Sequence, residues 1–155
     1  MPLSSPYPGS NANLWEVLNL ADAYSRASNV LFSESQKEAP LTIAPARMCA
    51  IHAIELYLNA FLRHEGFAPE EIRKRMHSLA EPTFVAKLKL KKKTALHLEA
   101  MTERREYLIS RYAPERITEH TELTRLAATL GEVKAKVGKH LRSPFGGDIQ
   151  ARAHP

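Results

Sequence analysis

One stretch constrains the fold more than any other: "PARMCAIHAIELYLNAFLRHEG", Pro45 to Gly66. It is apolar around most of a helical circumference. It opens on a proline, which the first turn of a helix tolerates because the missing N–H has no partner there. Gly66 closes it, as glycine does in the left-handed position after a helix. A helix apolar on nearly every side needs neighbours on nearly every side. The pattern therefore predicts a central helix from Pro45 to about His64. It carries one polar stripe: at 100° per residue, His52, Glu55, Asn59 and Arg63 fall within about 80° of each other. That stripe faces either solvent or a neighbouring helix. In the second case Glu55 needs a cationic partner, because an unpaired buried carboxylate is costly.

The remaining segments supply the neighbours. Leu14, Val17, Leu18, Ala21, Tyr24, Ser25, Ser28, Leu31 and Phe32 recur at helical spacing. They predict a helix from about Asn13 to Gln36, with Asn13 and Glu16 placed as a capping box. "PEEIRKRM" puts acids first and bases last, matching the dipole of a short helix from Pro69. Pro82 to Leu88 is a second short helix. A longer helix is expected from Lys93 to Arg111, and a last one from Thr118 to Leu141. The last has a Leu123, Leu126, Ala127, Leu130, Val133, Val137 stripe. "VAKLKLK" alternates like a strand, but alone it has no pairing partner. The expected architecture is all-α: an up-and-down antiparallel bundle of four main helices plus one or two short ones. Residues 1–12 and 143–155 read as flexible arm and tail, leaving residues 13–142 as the bundle.

With 155 residues the chain can build one domain with its own core, and 44% apolar residues is too many for a disordered chain. No uninterrupted apolar run reaches the roughly 18 residues that would span a bilayer. The N-terminus lacks a secretory layout, so the expectation is a cytoplasmic protein without a membrane partner. The lone Cys49 excludes an internal disulfide and, within an apolar helix, reads as a small buried hydrophobe. The formal charge of +5 favours an anionic partner without naming it. The seven histidines show no zinc-ligand spacing, so no metal or cofactor is expected.

Three further motifs fall in a recognisable order. "AIHAIELYLNAFLRHEG" resembles the signature helix of HEPN domains (higher eukaryotes and prokaryotes nucleotide-binding). Ala53, Glu55, Leu56, Leu58, Ala60, Leu62 and Gly66 fill that pattern, with Asn59 where lysine is common. His77-Ser78-Leu79 is similar to the family's "H-D-L" element, with Ser78 replacing the acid. "SRYAPER" resembles its "R-Y-P", with Ala113 inserted before Pro114. The resemblance spans about residues 13–141. It implies a helical bundle that often forms a homodimer. Many members are metal-independent ribonucleases, often the toxin beside a nucleotidyltransferase-type antitoxin. Others bind nucleotides, nucleic acid or protein without catalysis.

The catalytic members carry an arginine and a histidine, four to six residues apart in between, near the start of the last helix. Histidine suits proton transfer near neutral pH, and arginine is a permanent cationic fork for a phosphate. Here Arg116 and His120 are the candidate pair, with three residues between them. If residues 116–120 were helical, the two would share a face. The plain structural alternative puts them on the surface near the start of the last helix, with Thr118 as cap. Arg111 is a further catalytic candidate, or else a helix-terminal residue meeting the last carbonyls, with Tyr112 as a structural corner. Lys87, Lys89, Lys91, Lys92 and Lys93 form the densest cationic run and are the candidate nucleic-acid contact, or else an exposed link. His77 reads as a helix-end cap rather than a metal ligand. Arg47 and His52 match the family spacing literally but stand about 140° apart on the central helix. Two main functions remain open. One is a nucleic-acid-directed protein, including an endoribonuclease. The other is a non-catalytic module for a nucleotide or protein. An exposed apolar stripe would instead mark a pure interaction module.

Overall fold

The computed structural model describes residues 5–119 and 121–143. Among these the fold is all-α. Its elements are α1 (Leu14–Glu34), α2 (Ala44–His64), α3 (Pro69–Arg73), α4 (Pro82–Leu88), α5 (Lys92–Glu103), α6 (Glu106–Tyr112) and α7 (Leu123–Arg142). Single 3₁₀ turns span Pro40–Ile43 and Pro114–Glu119. The described residues form no strand, only one bridge between Gln36 and Ala39.

α2 is the axis of the core. Ala50, Ala53, Ile54, Tyr57, Leu58, Ala60, Phe61 and Leu62 are each at most 1% exposed. α1 makes the broadest contact with it, followed by α7 and then α6. The buried face of α1 is Leu18, Ala21, Ser25 and Ser28, mostly small side chains, and α2 buries Ala46, Ala50, Ala53 and Ala60. Small residues on both sides let two helices approach closely. α7 contributes Leu126, Leu130, Val133, Val137 and Leu141, the stripe its sequence predicts. With its preceding turn, Pro40–His64 is apolar and long enough by composition to cross a bilayer, at mean hydropathy 1.2. Half of that segment is buried within the fold, as a core helix requires.

The start of α1 and the end of α2 follow local rules. The Asn13 side chain accepts from the Glu16 N–H at 2.9 Å, and Glu16 accepts from the Asn13 N–H at 2.8 Å. This is the predicted capping box. Gly66, at φ 95°, lets the Phe67 N–H reach the Leu62 carbonyl and the Gly66 N–H reach Arg63. These two bonds close α2 in a Schellman motif.

Two boundaries differ from the periodic pattern. The helix expected over 93–111 is broken at Arg105, which stands in the left-handed region at φ 52°. The break turns Glu106 inward, where it is 1% exposed and accepts from both the N–H and hydroxyl of Thr121. Those bonds also hold Thr121 outside any helix, so α7 starts at Leu123 rather than Thr118. Thr121 passes the connection on to His97, whose Nε2 lies 2.7 Å from its hydroxyl. The other ring nitrogen, Nδ1, lies 2.7 Å from the Thr129 hydroxyl of α7. Arg47 of α2 is the nearby cation that acts on Glu106. One hydrogen-bonded network therefore joins α5, α6 and α7, with Arg47 of α2 close enough to act on it electrostatically.

Burial pushes the His97 imidazole down to about 4, and Arg125, Arg47 and Arg104 reinforce the shift. The unfolded chain takes up that proton first, near the ordinary value of about 6.5. The resulting stability is complete above the unfolded value and is lost as the pH falls toward 4. The whole shift corresponds to about 3 kcal/mol. Urea unfolding at pH 7 and pH 4 is expected to show a loss of that order. A His97→Gln variant should be weaker at pH 7 but flatter across the same interval.

Candidate functional site

The polar stripe of α2 does not simply face water. Its four residues are half-buried, and three have identifiable partners. Arg63 donates to the Ala12 carbonyl and so ties the segment before α1 onto α2. Glu55 is held by a hydrogen bond: the Nδ1 of His77 lies 2.9 Å from its Oε1. His52 is packed edge-on by the Tyr24 ring at 4.5 Å.

His77 is held on more than one side. Its ring stacks at 4.8 Å on Tyr107 of α6. Met76 and His77 both adopt left-handed backbone, at φ 49° and 69°. Each such non-glycine residue costs about 1–2 kcal/mol. The segment is secured by Arg75, which donates to the Ser78 carbonyl at 2.6 Å and lies over the Phe84 ring. Strain concentrated on a residue that points at a charged cluster is a recurrent feature of functional sites. His77 thus binds a side chain of α2 and is not a helix-end cap.

Beside this pair lies a cleft of about 570 Å³ between α1, the start of α2 and the end of α6. Its lining includes Tyr24, Met48, His52, Ser110, Arg111 and Tyr112. Arg111 and Tyr112 are exposed, and among the described residues no carboxylate pairs with Arg111. The Nδ1 of His52 is buried and lacks a hydrogen-bond partner among the described residues. Burial lowers the proton affinity of His52. Glu55 opposes that shift, while Arg111 and His77 strengthen it, and the net result lies below the ordinary value. A neutral imidazole, a free guanidinium and two aromatic rings thus share one opening. This set can hold a phosphate, stack a base and accept a proton.

Glu55, His77, Arg111 and Tyr112 are distant in sequence and meet on one side of α2. His52 and Tyr24 complete the arrangement. His52 was visible in the polar stripe, but Tyr24 looked like one more apolar position of α1. The Arg47–His52 pair divides as its angular separation requires: Arg47 is buried beside Glu106 and His52 lines the cleft.

Arg116 lies on the 3₁₀ turn, not on α7, and is ion-paired with Glu119. Both side chains are about half exposed, at 51% and 54%, so this pair contributes little to stability. His120 lies outside the described residues. Thr118 does not cap α7, whose N-cap position is Glu122.

The lysine run is a helix end followed by a helix start. Lys87 lies in the last turn of α4 and pairs with Glu65. Lys89 takes the left-handed C-cap at φ 54°. Lys91, Lys92 and Lys93 begin α5. Leu88 and Leu90 between them are buried, which leaves all five lysines exposed. The α5 start is anchored by Glu132, which accepts from the Lys91 N–H at 2.8 Å and the Thr94 hydroxyl at 2.7 Å.

Another cationic surface was not apparent from the sequence run. A cleft of about 430 Å³ between α1 and α7 is bordered by Arg26, Lys134, Lys139 and Arg142. Gly138 leaves room for the Arg142 guanidinium, since a Cβ there would stand 2.9 Å from it. The one carboxylate in this cleft, Asp22, accepts the Tyr57 hydroxyl. Lys134, Gly138 and Arg142 share a face of α7 at intervals of four, a pattern that becomes a groove only opposite Arg26.

Comparison with family models, with curated proteins and with solved structures returned no match.

The direction of each charge effect on His52 is measurable by NMR titration of its ring. Arg111→Ala is expected to raise the His52 pKa by removing a nearby cation. Glu55→Gln is expected to lower it. A shift of the same sign in both variants would separate His52 from this cluster.

Proposed function

We propose that the chain is a HEPN-like protein directed at RNA, and that its working site is the cleft lined by His52 and Arg111. The support is the convergence of Glu55–His77 and Arg111-Tyr112 beside a histidine whose Nδ1 has no described partner. In this reading Arg111 holds a phosphate, and Tyr24 and Tyr112 offer faces for a base. Neutral His52 accepts the proton of the attacking 2′-hydroxyl as the 2′-oxygen bonds to phosphorus; the P–O5′ bond breaks, solvent water protonates the leaving 5′-oxygen, and a 2′,3′-cyclic phosphate remains. Arg111 then faces the negative charge that builds on the phosphate oxygens. Arg116 and His120 become flanking groups rather than the primary pair. The reading also takes α1, α2, α5 with α6, and α7 as an up-and-down four-helix bundle. It retains a homodimer and a nucleotidyltransferase-type antitoxin as the expected partners.

The cationic α1–α7 cleft favours a second reading: a non-catalytic module that binds nucleotides or nucleic acid through Arg26, Lys134, Lys139 and Arg142. The two readings require different residues.

Incubation of purified protein with RNA in EDTA separates them. Under the first, His52→Ala and Arg111→Ala each lower cleavage by about 10²-fold or more, with helicity retained by circular dichroism. Arg116→Ala should change the rate far less. Retained cleavage in both cleft variants refutes the His52–Arg111 assignment. RNA binding without cleavage, lost in Arg26→Glu and Lys134→Glu but not in Arg111→Ala, establishes the second reading.

A further inference from the structure

A separate cluster lies where α2 and α7 end. His64 is the last residue of α2, Glu65 is its C-cap, and His140 sits in the last turn of α7. One ligand atom from each lies within 4.8 Å of the others. The Nε2 of His140 is 2.9 Å from the Oε1 of Glu65, and the Nδ1 of His64 is 3.6 Å from the same oxygen. In tetrahedral zinc with bonds of about 2.0–2.1 Å, neighbouring ligand atoms stand about 3.3 Å apart. The two distances to Glu65 fall on either side of that value, and the two histidine nitrogens lie within 4.8 Å of each other.

The surroundings fit a cation. The Nδ1 of His64 is buried and has no hydrogen-bond partner among the described residues. A distance of 3.6 Å to Glu65 is too long to satisfy it, and an orphan buried nitrogen calls for a water or an ion. Two helix C-termini meet here, and their partial negative charge favours a cation. The His140 ring is packed edge-on against Phe61 and against His64, each at 5.2 Å, which limits its orientation. Lys87 occupies Oε2 of Glu65 and leaves Oε1 for monodentate ligation. Metal-ligating carboxylates commonly have such an outer hydrogen-bond partner. Lys87 also places a positive charge beside the ion, so the two imidazoles must supply much of the affinity. This selects a borderline ion such as zinc over magnesium or calcium.

We infer that His64, Glu65 and His140 form a three-ligand site for zinc or a similar divalent transition-metal ion, joining the C-terminal ends of α2 and α7. A fourth position is open to water. The site shares no residue with the His52–Arg111 cleft. Binding displaces any proton held between His140 and Glu65 and fixes the neutral form of both histidines.

The test uses tag-free full-length protein stripped of metal and titrated with cobalt(II) as a spectroscopic substitute for zinc. The expected result is one ion per chain, with the intense visible absorption of low-symmetry four-coordinate cobalt, removed by added zinc. Outer-sphere substitutions typically weaken metal sites by about 10–100-fold. Loss of a direct ligand in His64→Gln or His140→Gln is expected to cost at least that much. Absence of stoichiometric binding, or equal affinity in both variants, overturns the inference. NMR of the wild type guards against misfolded variants. Cobalt should broaden the His64 and His140 ring signals while sparing His52, and broadening elsewhere alone would refute the site.

Discussion

The burial of α2 is the constraint on which the other elements depend. A helix with alanine, leucine, isoleucine and aromatic side chains on most faces cannot remain at a surface without exposing a large apolar area. α1 and α7 cover its two broadest faces, and α6 takes part of what remains. The small residues of α1 make that cover close. Tyr57 lines the α1–α7 cleft, and Phe61 packs against His140 of α7.

The polar groups of the fold are organised around the same axis. The hydrogen-bonded network of Glu106, Thr121, His97 and Thr129 ties α5, α6 and α7 to one another, with Arg47 of α2 beside Glu106. A broken helix at Arg105 is the local cost of bringing Glu106 inward. The break also sets the direction of α6, which carries Tyr107 to His77 and Arg111 to the cleft. The structural network and the candidate site are therefore linked through one short helix. This gives a physical reason why a stretch that looks like a helical corner can present functional groups.

Much of the fold is legible in the sequence where the causes are local. Asn13 and Glu16 announce the start of α1, Pro45 and Gly66 bracket α2, and the spacing of Leu126, Leu130, Val133 and Val137 defines the inner face of α7. The break at Arg105 has no such signal: neither glycine nor proline stands there. It follows from contacts of Glu106 with Thr121, fifteen residues away. The same contacts delay α7 to Leu123 and put Arg116 on a turn, which changes the geometry that a continuous helix would have given it. For the candidate site, the sequence showed Glu55, His77, Arg111 and Tyr112 as separate motif fragments and His52 as one member of a stripe. Tyr24 was indistinguishable from a core position.

The sequence by itself determined an all-α chain and the central position of α2. Periodicity, capping and desolvation act over one helix and leave their marks on neighbouring residues. Only the tertiary structure decided that the partner of Glu55 is His77, that Lys87 is taken by Glu65, and that His64 and His140 meet across two helix ends. Those pairings depend on how helices cross and where their ends fall. Such distances in space have no fixed counterpart in spacing along the chain.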